Sequence, residues 1–87
     1  MFTFNFPPYR EIPKTRGGRV HQTAKIRLEA KEASEAAHMD ELSYVMELMD
    51  VIHAAETALR EFDFELLDHA KDMVIRKNRN RRYYREE

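Results

Sequence analysis

The chain has no cysteine, so neither a disulfide nor a thiolate zinc site can reinforce it. It has no tryptophan, only two glycines and three prolines, and all five of these breakers lie before residue 19. Nothing after Gly18 therefore obliges a helix to stop. No apolar run approaches the ~18–20 residues of a membrane span. The apolar N-terminal residues are interrupted by Thr3, Asn5, Pro7 and Pro8, unlike a signal peptide, so a cytoplasmic protein with no membrane partner is expected. At 87 residues there is room for one domain. A chain this short buries only about 60% of its unfolded surface, which leaves a marginal core.

What is present is charge, 36% of all residues, beside 43% hydrophobic residues, a balance that suits a folded helical protein. The charge is segregated. Residues 1–30 hold six Lys/Arg against two Asp/Glu; residues 31–70 hold two against eleven; residues 71–87 hold seven against three. An acidic middle of net −9 argues against duplex nucleic acid as a partner. Its carboxylates suit divalent cations, and the basic ends suit phosphate.

Residues 1–19 read as an extended arm. Phe2, Phe4 and Phe6 alternate with polar residues, Pro7-Pro8 enforces extension, and Gly17-Gly18 reads as a flexible joint. Three phenylalanines in such an arm are expected to dock on a helix face. Residues 20–78 read as an all-α domain and residues 79–87 as a basic tail. The periodicity predicts helices near 20–37, 40–61 and 63–77. The first has the stripe Ile26, Ala30, Ala33, Ala37; the second has Tyr44, Leu48, Val51, Ile52, Ala55, Leu59, Phe62. Asp40 and Asp63 are the expected N-caps. A loop of a few residues makes the first two helices an antiparallel hairpin. Met46 and Met49 lie off the main stripe of their helix, which points to a second buried surface and a homo-oligomer, dimer or tetramer, of four-helix-bundle type.

Both hairpin helices carry an acidic i, i+3 pair on a flank of the expected buried face: Glu29 with Glu32, and Glu47 with Asp50. In an antiparallel hairpin the two flanks can face each other. Four carboxylates brought together repel unless a cation neutralises them, and magnesium, which prefers oxygen ligands and keeps several waters, is the natural one. The same pairs also suit a plain solvated surface. Glu35, Glu56, Glu61 and Glu65 read as solvated, and the four histidines, spaced by 15–17 residues, make no i, i+4 metal pair.

These residues resemble the MazG-like all-α nucleoside triphosphate pyrophosphohydrolases. The family pattern is Glu-x-x-Glu, a gap, then Glu-x-x-Asp. Here it reads Glu29-Ala-Lys-Glu32, fourteen residues, then Glu47-Leu-Met-Asp50, and the segment from Arg76 to Tyr83 is similar to the family's Lys-Asn-x-x-Arg-Tyr ending. Leu28 stands where many members carry another Glu, and Val74 where many carry Lys. The resemblance implies that Glu29, Glu32, Glu47 and Asp50 hold Mg2+ and act catalytically. It implies that Lys71, Arg76, Lys77, Asn78 and Arg81 meet the phosphates. The implied reaction cleaves a nucleoside triphosphate to the monophosphate and pyrophosphate. Two alternatives stand beside it: a phosphoribosyl-ATP pyrophosphohydrolase-like enzyme, and a non-catalytic helical oligomerisation module.

Overall fold

The computed structural model describes Phe4, Phe6, Pro7 and residues 14–85. Phe2 and Pro8 lie outside the described residues. Three helices make up the described chain: α1, Arg16–Ala36; α2, Glu41–Leu59; and α3, Phe64–Asn80. No strand occurs among the described residues.

Each helix begins on a side-chain cap. The Asp40 and Asp63 carboxylates accept from the Ser43 and Leu66 amides, both at 2.9 Å, as their positions lead one to expect. The Ser43 amide and then the Ser43 hydroxyl hold the Asp40 carboxyl below the usual range, with smaller contributions from the Asp40 and Leu42 amides. The third cap corrects the reading of the arm. Thr15 Oγ1 accepts from the Gly18 amide at 3.1 Å, so α1 starts at Arg16 and runs through Gly17 and Gly18. These glycines form a first turn, not a flexible joint. The end of α3 also moves, to Asn80. The Tyr83 and Arg82 amides bond back to the Asn78 and Arg79 carbonyls at 3.0 and 2.9 Å, and Arg82 takes the left-handed conformation at φ 59. That pair of bonds is a Schellman closure made without glycine.

α1 and α2 pack as an antiparallel hairpin whose register is fixed by polar contacts. Gln22, only 4% exposed, donates to the Ala54 carbonyl at 2.9 Å. Arg19 grips the Glu61 carboxylate through Nε and Nη2, the shortest bond being 2.8 Å. Its guanidinium also lies 5.3 Å from the Phe62 ring centre. Glu61 is therefore a fastener, and not a free surface acid.

The seam between α1 and α2 is rotated from the expected one. On α1 the buried residues are Gly18, Gln22, Glu29, Ala33 and Ala36, whereas Ala30 and Ala37 are exposed. On α2 the seam runs along Glu47 and Ala54, about 100–120° around the helix from Leu48, and continues past its end to Glu61. Ala54 is fully buried there, while Tyr44, Leu48 and Leu59 remain 37%, 39% and 42% exposed. The strongest apolar stripe of the chain thus faces away from its neighbour in sequence. Only three apolar side chains are buried among the described residues, all alanines. Small residues permit close approach, but they remove little apolar area from water.

The arm docks on the other flank of α2. The Phe6 ring stacks on His53 at 4.6 Å between centroids and 16° between planes. His53 Nε2 donates to the Pro7 carbonyl at 2.9 Å, and Arg60 Nη2 donates to the Phe6 carbonyl. Phe6 thus docks as expected, on a helix of its own chain, whereas Phe4 stays 46% exposed. α3 touches the hairpin only marginally, and none of its residues is buried.

A candidate carboxylate site in the hairpin seam

The rotation of the seam positions the acidic pairs. Because α1 turns its Gln22–Glu29–Ala33–Ala36 face toward α2, Glu29 and Glu32 point at the α2 turn that carries Glu47. One oxygen from each of Glu29, Glu32 and Glu47 lies within 4.8 Å of the others. Glu29 is 9% exposed, and Glu32 and Glu47 are half-buried.

The local electrostatics are those of crowded anions. The Glu32 carboxyl is held above the usual range, first by the Glu29 charge, then by desolvation, then by the Glu47 charge. Lys25 offsets part of this from one side, its Nζ 3.3 Å from Glu29 Oε1. Glu47 Oε2 is buried with no hydrogen-bond partner. A buried acceptor without a donor is costly, and a cation would satisfy it.

Asp50 is exposed and stands outside the three-carboxylate set, although its charge still contributes to raising Glu32. A single cation coordinated at ~2.1 Å has ligand oxygens ~3.0–4.2 Å apart. The three oxygens of Glu29, Glu32 and Glu47, all within 4.8 Å of one another, stand close to that spacing, so these residues could hold a divalent cation.

The five residues expected to meet phosphate all lie on α3 or its end. Among the described residues no contact joins Lys71, Arg76, Lys77, Asn78 or Arg81 to the carboxylates. Lys71 pairs with Asp68 at 3.3 Å, and the Asn78 carbonyl is engaged in the closure of α3.

Two features escaped the sequence reading. Gln22 and Lys25 flank the site on the seam face, seven and four residues before Glu29. That spacing was visible, but a polar stripe is ordinarily read as solvent-facing. Glu56, read as solvated, is 5% exposed, and its nearest cation is Arg60 at 3.9 Å. It lies on the flank of α2 that the arm's contacts occupy.

Among the described residues no helix is long and apolar enough to cross a membrane. Set against known protein families, curated proteins and solved structures, the chain matches none, and none of these comparisons identifies a family for it.

Proposed function

We propose that the chain is a magnesium-dependent nucleotide pyrophosphohydrolase, which cleaves a nucleoside triphosphate to a monophosphate and pyrophosphate. The observation that carries this reading is the convergence of Glu29, Glu32 and Glu47 from two antiparallel helices, with a buried Glu47 oxygen lacking a donor. Glu29, Glu32 and Glu47 would hold the cation, with Asp50 at its edge. When bound, magnesium supplies a Lewis acid and lowers the pKa of a bound water. One glutamate accepts a proton from the attacking water. The water oxygen bonds to the α-phosphorus, and the bond from that phosphorus to the α,β-bridging oxygen breaks, releasing pyrophosphate.

The charge on the leaving group falls to Lys71, Arg76, Lys77, Asn78 and Arg81. Within one chain these residues stand apart from the carboxylates. The reading therefore includes a homo-oligomer, of four-helix-bundle type, in which α3 meets a neighbour.

The test is pyrophosphate release from a panel of nucleoside triphosphates and phosphoribosyl-ATP, with and without magnesium. Magnesium-dependent release from at least one nucleoside triphosphate is expected, with a fall of at least about 100-fold in Glu47→Gln. Release confined to phosphoribosyl-ATP selects the narrower enzyme. No release from any substrate, in protein whose helicity is intact, leaves the non-catalytic helical module.

A further inference from the structure

The far end of α3 differs in chemistry from the rest of the chain. The acids of α3, Glu65, Asp68 and Asp72, all lie in its first nine residues, where Lys71 pairs with Asp68. From Met73 to Arg85 there is no Asp or Glu, and Arg76, Lys77, Arg79, Arg81, Arg82 and Arg85 are all exposed. Glu86 and Glu87 follow, outside the described residues; six cations against these two carboxylates leave +4 in the last fifteen residues. Among the described residues the ion pairs engage none of Arg76, Lys77, Arg81 and Arg82. Two tyrosines sit in this basic surface and are not spent on a core: Tyr83 and Tyr84 are 68% and 39% exposed. Both are nevertheless held. The Tyr83 amide bonds to the Asn78 carbonyl at 3.0 Å, and the Tyr84 ring centre lies 6.0 Å from the Arg79 guanidinium.

We propose that this end of α3 binds single-stranded nucleic acid, with Tyr83 and Tyr84 stacking on bases and Arg79 and Arg82 among the cations that meet phosphates. Exposed rings interleaved with cations suit a single strand, because each nucleotide offers a base face to stack on and a phosphate to neutralise. Five of the six cations are arginine, whose planar fork matches phosphate oxygens and can also lie flat on a base. The turn that closes α3 positions the tyrosines before any ligand arrives, so less ordering opposes the stack. A duplex keeps its base faces in its own stack and cannot use the rings. A lipid surface is the other partner for a basic helix end, and the geometry disfavours it. Leu66, Leu67, Ala70, Met73 and Val74 form the apolar face of α3, and Arg76 and Arg79 lie about 120° and 180° around the helix from its centre. A membrane seated on the apolar face would leave Arg79, and the Tyr84 ring beside it, on the far side. Arg79, Arg82, Tyr83 and Tyr84 take no part in the reaction proposed above.

The probes are fluorescein-labelled oligouridylate and oligothymidylate of twelve nucleotides, followed by fluorescence anisotropy in EDTA at about 100 mM salt. Saturable binding of at least one at micromolar protein is expected, and the tighter of the two identifies the preferred sugar. Tyr83→Ala or Tyr84→Ala should weaken binding about 5- to 150-fold, the effect of losing one stacked base. Tyr83→Phe or Tyr84→Phe keeps the ring and should bind within about twofold of the unsubstituted protein. Arg79→Gln should reduce the slope of log affinity against log salt by about 0.7, the share of one phosphate. Circular dichroism checks that each variant keeps its helicity. The proposal is overturned if neither oligonucleotide binds, or if a duplex of the same length binds as tightly as the single strand. It is equally overturned if the alanine variants bind undiminished, which leaves charge alone, or if phosphatidylserine vesicles bind and the oligonucleotides do not. Every readout is binding without magnesium or a triphosphate, so this surface stands or falls separately from the proposed reaction.

Discussion

Replacing Glu47 with Gln is expected to stabilise the protein in a chelating buffer and destabilise it, relative to the unsubstituted chain, in magnesium. Two unit charges 4.8 Å apart, the outer limit of the carboxylate spacing, repel by about 3.5 kcal/mol at an effective dielectric near 20. Glu47 is half-buried and Lys25 sits beside Glu29. Solvent and that cation reduce the net relief to about 1 kcal/mol. Glutamine has the same shape and nearly the same helix propensity, so little else changes. In a domain of this size ~1 kcal/mol shifts the melting temperature by about 4–8 °C. Magnesium at ten times its dissociation constant should stabilise the unsubstituted protein by about 1.4 kcal/mol, and the variant by much less. The order of the two melting temperatures should therefore invert between buffers. The assay is thermal unfolding by circular dichroism at one fixed protein concentration, with EDTA and with magnesium. If the carboxylates are merely a solvated face, the two proteins agree within about 0.5 kcal/mol in both buffers. That outcome would refute the argument, as would a loss of stability in EDTA.

Two further outcomes follow from single residues. The raised Glu32 carboxyl binds its proton more tightly in the folded state, so its contribution is fully present below the ordinary carboxylate pKa and is lost as pH rises through the raised value. Metal-free stability should fall across that window more steeply for the unsubstituted protein than for Glu32→Gln; parallel pH profiles would contradict the assigned crowding. Arg82→Gly should stabilise the end of α3 by about 1 kcal/mol, because a side chain at φ 59 carries a left-handed cost that glycine escapes. Amide exchange at Arg82 and Tyr83 should slow about fivefold, and unchanged or faster exchange counts against the closure.

Much of the fold could be read from local chemistry. Asp40 and Asp63 cap α2 and α3 because a short carboxylate followed by a helical pattern satisfies an orphan amide, and the absence of later breakers left few places for other ends. Gly17-Gly18 misled because a glycine pair is costly within a helix but tolerable in its first turn, where Thr15 supplies the missing acceptor. Arg82 hid the true end of α3 because an arginine seldom takes the conformation that glycine usually provides. At the site, the 29/32/47 set followed from spacing and antiparallel order. Gln22, Lys25 and Glu56 did not, because their burial depends on which face of each helix meets which neighbour, and periodicity alone does not specify that.

The rotation of the seam is the physical centre of the molecule. An amphipathic helix normally spends its widest apolar stripe on its neighbour in the same chain. Here α1 offers only Gly18, Gln22, Glu29, Ala33 and Ala36 as its buried residues, too little surface to cover Tyr44, Leu48 and Leu59. α1 takes instead the α2 face bearing Ala54, where backbones can approach closely and side chains can bond across, as Gln22 does to the Ala54 carbonyl. Two consequences follow from that one choice. Carboxylates that would have flanked an apolar core are drawn into the seam, where their mutual repulsion favours a cation. The apolar stripe is left with Tyr44, Leu48 and Leu59 exposed. Carboxylate crowding and an open apolar stripe are thus two faces of the same packing decision. A substitution that turned α1 back onto Leu48 would be expected to relieve the crowding and cover the stripe together.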